Sequence, residues 1–272
     1  MRAWARGGHP ARFVESKRVL KTVRVTRYVT PLREGGSLPA IVEGEDDGLY
    51  VLKFRGAGQG PLALVAELIS GEMGRLLNLR VPELVFMTLD DSIGRNEPDP
   101  EIRELLLASA GLNLGLDYLP GSIMFDAAAK DTVDTATASK AVWFDALITN
   151  IDRTAKNTNL LWWHKQLYLI DHGASLYFQH TWRDIGTAAM KPFPAIKEHV
   201  LLPWASQIGE IDGEMRAKLN DAAIRQITSA IPSEWLHQAN GPTAEGYAEY
   251  FAKRLSNSRF VEDALRAHAQ LF

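Results

Sequence analysis

Two short acidic segments in the middle of the sequence carry the side chains best suited to chemistry. Asp152 is followed five residues later by Asn157, and Asp171 ends an apolar run just before His172-Gly173. One carboxylate could orient or deprotonate a hydroxyl, while an amide oxygen and a second carboxylate could hold Mg²⁺ against nucleotide phosphates. These residue types at this spacing predict phosphoryl transfer, with Asp152 facing the acceptor and Asn157 and Asp171 facing the metal.

Each of these residues also has a purely structural interpretation. Asp152 and Asn157 could belong to an ordinary loop, because Asp and Asn are common turn formers. Asp171 could cap the N-terminus of a following helix. The context favours chemistry, because an amphipathic helix precedes the loop and an apolar hairpin at 159–170 returns Asp171 to it. His172 could ligate a metal, but Mg²⁺ prefers oxygen, so we expect it to pack or form hydrogen bonds.

A lysine in an apolar strand is the next candidate. Lys53 lies within the apolar run 50–54, ahead of a predicted helix. It could face a cleft and bind phosphates, or it could protect an edge strand from aggregation. Glu67 is the expected partner, because an unpaired carboxylate would be costly in the apolar part of that helix. Glu72 is the alternative partner.

Two glycine clusters could form a phosphate-binding loop. Gly35, Gly36 and Ser37 precede the lysine strand, which is the order expected for a lid over the phosphates. The cluster Gly56–Gly60 lacks the full pattern of a dinucleotide-binding loop or of a P-loop, so that interpretation is poor. Lys156 could oppose the negative charge that develops on a transferring phosphoryl group, or it could be a solvated loop charge.

The elements that must position these groups change in character along the chain. Alternating apolar and polar residues predict strands in the first part, at 23–29, 40–42, 50–54 and 84–89. A helical period predicts helices at 61–77, 102–109, 195–209, 212–231 and 243–270, and one that begins with Ser139 as its N-cap. Residues 90–100 are expected to form a loop. An extended connector at 113–119, closed by Pro120-Gly121, marks the expected boundary between two lobes.

Composition limits the possible classes of protein. The 272 residues allow one large domain or two modest lobes, and 46% hydrophobic and 23% charged residues are typical of a globular protein. A net charge of −3 argues against direct nucleic-acid binding. The absence of cysteine excludes disulfides and thiolate chemistry. We expect no membrane association and a cytoplasmic location, because no apolar run approaches the roughly 20 residues of a membrane span and no secretory signal is present.

Several of these segments together resemble the HipA-like kinase family, a group of bacterial proteins with a protein-kinase/phosphoinositide-kinase-like fold. The resemblance covers roughly residues 30 to 205. It lies in Tyr50-Val51-Leu52-Lys53-Phe54, the helix with Glu67, Leu116-Asp117-Tyr118-Leu119-Pro120-Gly121, Asn150-Ile151-Asp152-x₄-Asn157 and Ile170-Asp171-His172-Gly173.

The resemblance implies an α+β, bilobal protein-kinase-like fold, with a β-rich N-lobe containing one key helix and a mainly helical C-lobe. It implies ATP and Mg²⁺ between the lobes and phosphorylation of Ser or Thr in a protein substrate. Asp152 would be the catalytic carboxylate, and Leu116, Asp117, Tyr118 and Leu119 would form the hinge that meets adenine. The expected division is an N-terminal extension at 1–18, the N-lobe at 19–115, the hinge at 116–121 and the C-lobe at 122–272.

Two departures from the family pattern bear on function. Position 154 is Thr where better-known members often carry His, which leaves open a nucleotide-binding pseudokinase regulator. A kinase acting on a lipid or small-molecule hydroxyl also stays open, because fold does not choose the acceptor. The chain is much shorter than the toxin of the family, so we do not expect a DNA-binding antitoxin as its partner.

Overall fold

The computed structural model describes residues 20–32, 38–58, 60–95, 97–129, 132–237 and 241–272. The expected N-terminal extension at 1–18 lies outside these residues, as do Gly35, Gly36 and Ser37, so their suggested roles stay predictions. Within the described ranges, no helix combines the length and the hydrophobicity that crossing a bilayer requires.

A curved sheet forms the first lobe. It has five strands in the order β1-β2-β3-β5-β4. They are β1 (Thr22–Pro31), β2 (Ala40–Gly44), β3 (Leu49–Lys53), β4 (Leu84–Leu89) and β5 (Gly111–Asp117). The start of β1 also pairs in parallel with β4, so the sheet curls around its own apolar core. The predictions of β1 to β4 are confirmed, whereas β5 is a paired strand and not the expected connector.

Strand β3 lies inside this sheet, between β2 and β5. The edge-strand interpretation of Lys53 is therefore wrong, because β3 has a hydrogen-bonded neighbour on both sides. Tyr50 and Leu52 are buried in the core of the sheet, while Val51 and Lys53 are half-buried on the opposite face. That alternation directs the lysine away from the core of its own lobe.

Helix α1 (Pro61–Leu76) is the main helix of the first lobe. Gly60 before it has a φ of +71°, a conformation that favours glycine, and Pro61 suits the first helical turn. Buried side chains lie on almost every side of α1, because it packs against both the sheet and the second lobe. Glu67 is fully buried in this apolar setting.

Two short helices follow β4. Helix α2 (Ser92–Arg95) occupies part of the segment predicted to be a loop, so that prediction is wrong there. Helix α3 (Pro100–Ala108) is capped at its N-terminus by Asp99, whose side chain accepts hydrogen bonds from the backbone N–H groups of Glu101 and Ile102. This cap places the start of α3 two residues before the predicted helix.

The second lobe is mainly helical. Its helices are α4 (Thr135–Ile148), α5 (Ile185–Met190), α6 (Ile208–Lys218), α7 (Asp221–Thr228), α8 (Ala244–Leu255) and α9 (Arg259–Ala269). A small sheet contains β6 (Ile123–Met124), β7 (Leu160–Trp163) and β8 (Gln166–Leu169). The predicted hairpin is confirmed as β7 and β8, and it turns at His164 and Lys165, which both have positive φ.

The structure corrects several helix predictions in this lobe. Helix α4 begins at Thr135 because Asp134, not Ser139, caps it. The helix predicted at 195–209 is absent, and two 3₁₀ turns, Pro194–Glu198 and Leu202–Trp204, take its place. Each contains a proline near its start, which lacks the N–H needed inside a helix.

The two long C-terminal helix predictions are each divided in the structure. The predicted helix at 212–231 becomes α6 and α7, because Asn220 caps a new helix with its side chain. The predicted helix at 243–270 becomes α8 and α9, which are separated at Ser256–Ser258. The breaks let both members of each pair pack into the same core as α4.

Candidate active site

A cleft of about 1170 Å³ brings together candidate groups from distant parts of the sequence. Lys53 lines it from β3, and the predicted hinge residues, Leu116 to Leu119, line it from the end of β5 and the chain that follows. Asn157 and Asp171 line it from the second lobe. The cleft therefore has the predicted phosphate-binding lysine, the predicted hinge and both predicted metal ligands on its walls.

Lys53 of β3 forms ion pairs with a carboxylate of α1 and with a carboxylate of the turn that follows β8. Its Nζ donates to Glu67 Oε2 of α1 at 2.8 Å and to Asp171 Oδ1 at 2.5 Å. The side chain of Glu67 is fully buried, that of Lys53 is 12% exposed and that of Asp171 is 42% exposed. Glu72, the alternative partner, instead lies 3.6 Å from Arg75 in its own helix.

Glu67 is also held by the residue after Asp171. The backbone N–H of His172 donates to Glu67 Oε2 at 2.8 Å, and His172 Nδ1 lies 3.3 Å from Oε1. Burial raises the pKa of Glu67, but the ammonium of Lys53 and the contacts with His172 outweigh burial and hold that pKa well below its ordinary value. Burial lowers the pKa of Lys53, but the carboxylates of Glu67 and Asp171 outweigh it and raise that pKa above its ordinary value.

Acid should destabilise the fold partly through Glu67. Its pKa is lower in the folded state, so its stabilising contribution is present above the ordinary value of 4.5 and is lost as pH falls toward the folded pKa. Between about pH 5 and pH 3, the free energy of unfolding of Glu67→Gln should fall less steeply than that of the wild type, by up to about 1.4 kcal/mol per pH unit. Denaturant titrations at several pH values measure this difference, and parallel pH dependences would contradict it.

The turn that presents Asp171 has an unusual backbone. Asp171 has a φ of +55°, and the next helical turn begins only at Tyr177, with Leu176 in the capping position. The N-cap interpretation of Asp171 is therefore wrong. His172 is fully buried, and its ring lies edge-on to Phe144. The packing and hydrogen-bonding role expected for His172 agrees with these contacts.

The loop after α4 brings Asp152 and Asn157 into contact. Asp152 Oδ2 accepts hydrogen bonds from Asn157 Nδ2 at 2.9 Å and from Asn159 Nδ2 at 3.2 Å. The backbone N–H of Asp152 donates to Asn150 Oδ1 at 3.0 Å. The side-chain nitrogen of Asn157 thus donates to Asp152, which leaves the side-chain oxygen of Asn157, Oδ1, as the atom available to a metal. Asn159 is not among the site residues that the sequence pattern predicts.

Threonine at position 154 closes the same loop. The backbone N–H of Thr154 donates to the carbonyl of Asn157 at 2.9 Å, and the backbone N–H of Asn157 donates to Thr154 Oγ1 at 3.3 Å. Thr154, which stands where better-known members of the HipA-like kinase family often have His, therefore still holds Asn157 in position.

Lys156 lies between Thr154 and Asn157 in the sequence. It is exposed and lines the cleft, so both interpretations of this lysine stay open.

A buried charged cluster lies behind the loop. Arg153 Nε donates to Asp145 Oδ2 at 2.5 Å, and His199 Nε2 lies 2.8 Å from the same oxygen. Burial raises the pKa of Asp145, but Arg153 and His199 outweigh it and hold the pKa below its ordinary value. This cluster is not among the predicted sites, although a carboxylate within the apolar helix α4 is a possible signal of a buried partner.

The donor set at the cleft fits a magnesium-class ion. Asp171 offers a carboxylate and Asn157 an amide oxygen, and hard divalent cations prefer oxygen ligands. Among the described residues, no group of three His, Cys, Asp or Glu side chains is gathered into a metal site. A cation here would therefore need the Asn157 oxygen and the phosphates of a nucleotide to complete its coordination.

Comparisons with known proteins agree with this geometry. A family model described as HipA-like kinase matches residues 25–262. The structure of the Helicobacter pylori proinflammatory kinase CtkA is similar, with 13% identity, a TM-score of 0.51, and coverage of 92% of this chain and 99% of that one. The Golgi casein kinase with Mn/ADP bound is similar at 12% identity and a TM-score of 0.50, covering 91% and 73%. No curated protein matches significantly.

These similar structures establish the type of fold. Both are kinases, and both align with more than nine-tenths of this chain. The predicted α+β, bilobal protein-kinase-like fold is confirmed, with a β-rich first lobe that carries α1 and a mainly helical second lobe. The exact lobe boundaries at 19–115, 116–121 and 122–272 stay predictions.

Proposed function

The chain belongs to the HipA-like kinase family, and we propose that it transfers the γ-phosphate of ATP to a serine or threonine hydroxyl of a protein. Lys53, Asn157 and Asp171 line one cleft, and Asp152 is hydrogen-bonded to Asn157. This convergence is the observation that carries the proposal. Phosphoryl transfer needs little covalent help from the protein and depends mainly on positioning and charge neutralisation.

The walls of the cleft have the chemistry to hold ATP. Leu116, Tyr118 and Leu119 provide apolar contacts for adenine, and Lys53 provides a fixed positive charge for phosphates. The pairing of Lys53 with buried Glu67 limits the positions that the ammonium can take. Asn157 and Asp171 would hold Mg²⁺, which neutralises the charge of the phosphates when it is bound.

Asp152 is the group best placed to act on the acceptor hydroxyl. Amide groups of Asn157 and Asn159 donate to one of its oxygens, Oδ2, and so orient the carboxylate. Oδ1 can accept the hydrogen bond, and then the proton, of an incoming hydroxyl. We place Lys156 beside the transferring phosphoryl group, because it lies in the same loop and lines the same cleft.

The acceptor is proposed to be a protein because of family membership, and the identity of that protein is open. The test is to incubate the purified chain and Mg²⁺ with ATP labelled at the γ-phosphate, once with a cell proteome and once with small metabolites and lipids. Label on Ser or Thr of proteins supports the proposal. Label only on metabolites or lipids contradicts the protein acceptor, and nucleotide binding without any transfer favours a regulator.

A further inference from the structure

A buried arginine next to Asp152 has contacts that the proposed chemistry does not use. The side chain of Asp152 is half-buried and accepts a hydrogen bond from Asn157, whereas the side chain of Arg153 is fully buried in the second lobe. Its Nη1 donates to the backbone carbonyl of Asn159 and, at 3.3 Å, to that of Ile170. A planar guanidinium with several N–H groups in fixed directions can hold such acceptors in one geometry.

The two carbonyls belong to the two segments that carry the acidic groups. Asn159 ends the loop of Asp152 and also donates to its carboxylate, and Ile170 immediately precedes Asp171. The carbonyl of Asn159 accepts a second hydrogen bond, from the backbone N–H of Ile170 at 3.0 Å. Arg153 therefore lies at the junction of the loop and the turn, and it contacts both.

The electrostatic setting keeps this arginine in place. Asp145 neutralises it inside the protein, where an unpaired charge would be very costly. The N–H of Leu201 donates to His199 Nδ1 at 3.0 Å, so the proton of a neutral imidazole is on Nε2 and is donated to Asp145. Burial lowers the pKa of His199 despite the nearby carboxylate, which favours that neutral form.

We propose that Arg153 is a positioning residue, which fixes the catalytic loop of Asp152 relative to the metal-binding turn of Asp171 by holding the carbonyls of Asn159 and Ile170. This inference rests on the proposed function and extends it to a residue that would touch neither nucleotide nor acceptor. Asp152 would act on the acceptor hydroxyl and Asp171 on the metal at the nucleotide phosphates, so the distance between these two carboxylates must stay fixed during the transfer. An error of about 1 Å in such a geometry can cost about 100-fold in rate.

The first test is Arg153→Lys, which keeps the positive charge near Asp145 but has one nitrogen in place of two, the Nε that donates to Asp145 and the Nη1 that donates to both carbonyls. We expect kcat to fall about 100-fold, with little change in ATP binding measured without metal, because Lys53 and the hinge are untouched. Arg254→Lys is the matched control. Arg254 is equally buried and also donates to backbone carbonyls, but to those of Ala146, Leu147, Ala189 and Lys191.

A second measurement does not depend on activity. In Arg153→Lys, amide hydrogen exchange in peptides covering 168–173 should accelerate at least about tenfold, the equivalent of one lost charge-assisted hydrogen bond. Arg254→Lys should leave exchange in this segment unchanged. The proposal would be overturned if Arg153→Lys changed neither the amide hydrogen exchange at 168–173 nor kcat. It would also be overturned if Arg153→Lys and Arg254→Lys changed these two quantities equally. If the wild type transfers no phosphate, the proposed function fails, while the exchange comparison still decides the role of Arg153.

A double variant covers the case in which Arg153→Lys does not fold. Arg153→Met with Asp145→Asn removes both buried charges together, which avoids leaving one of them unpaired. It should fold, show the same fast exchange at 168–173 and the same loss of kcat. Native exchange and native kcat in this folded variant would overturn the proposal.

Discussion

Asp152→Asn should lower kcat for phosphate transfer by about 10²–10⁴-fold, the range expected for a general base. An amide cannot accept the proton of the acceptor hydroxyl, although it matches the carboxylate in size. ATP affinity should change little, because the cleft lining includes Asn157 but not Asp152. Single-turnover kinetics and nucleotide titrations of the same preparation separate the two effects.

Asp126→Asn is the matched control for that experiment. Asp126 lines the cleft itself and carries the same charge as Asp152, and its Oδ1 accepts the N–H of Ala128, an interaction that Asn can keep. Its kcat should stay near that of the wild type. If Asp126→Asn lost as much activity as Asp152→Asn, the effect would come from the net negative charge at or near the cleft. An active Asp152→Asn would remove Asp152 from its assigned role.

Much of the site could be predicted because its signals are local. Asp152 and Asn157 are five residues apart, and the structure joins them by a hydrogen bond within one loop. The order of a lysine strand and an apolar helix with one buried carboxylate likewise indicated Lys53 and Glu67 as a pair, and the structure has that ion pair. Each signal depends on residue type and short spacing, which a sequence displays directly.

The support behind the site could not be predicted in the same way. Arg153 in a polar loop has the sequence context of a solvent-exposed residue, and its burial depends on Asp145 and on His199, which is 54 residues beyond Asp145. The contact of Lys53 with Asp171 spans 118 residues. Neither contact follows from periodicity, because each depends on how two lobes or several loops pack.

The predictions of helix boundaries were wrong where two local sequence signals point to different boundaries. Ser139 and Asp134 are both acceptable N-caps, but Asp134 accepts the N–H of Thr137 and starts the helix at Thr135, while Ser139 is buried and accepts the N–H of Gln207. The apolar residues at 195–209 suggested a helix, but the chain there forms short turns that pack on α9. Hydrophobic period alone does not distinguish these outcomes.

The second large effect is expected at Asp171. Asn at this position keeps an oxygen but loses the charge that attracts a divalent cation. Lys53 would remain paired with Glu67, so α1 and the cleft should keep their arrangement. Turnover should fall about 10³-fold or more, since metal-ion stabilisation of the transition state is worth several kcal/mol.

Nucleotide binding by Asp171→Asn distinguishes metal binding from general damage to the cleft. Without metal, the variant should bind ATP as tightly as the wild type or more tightly, because a carboxylate that would repel the phosphates is gone. Adding Mg²⁺ should raise ATP affinity in the wild type and hardly at all in the variant. Calorimetric titrations with and without Mg²⁺ measure both quantities. An equal gain from Mg²⁺ in the two proteins would mean that Asp171 does not bind the metal, and its contact with Lys53 would then be its main role.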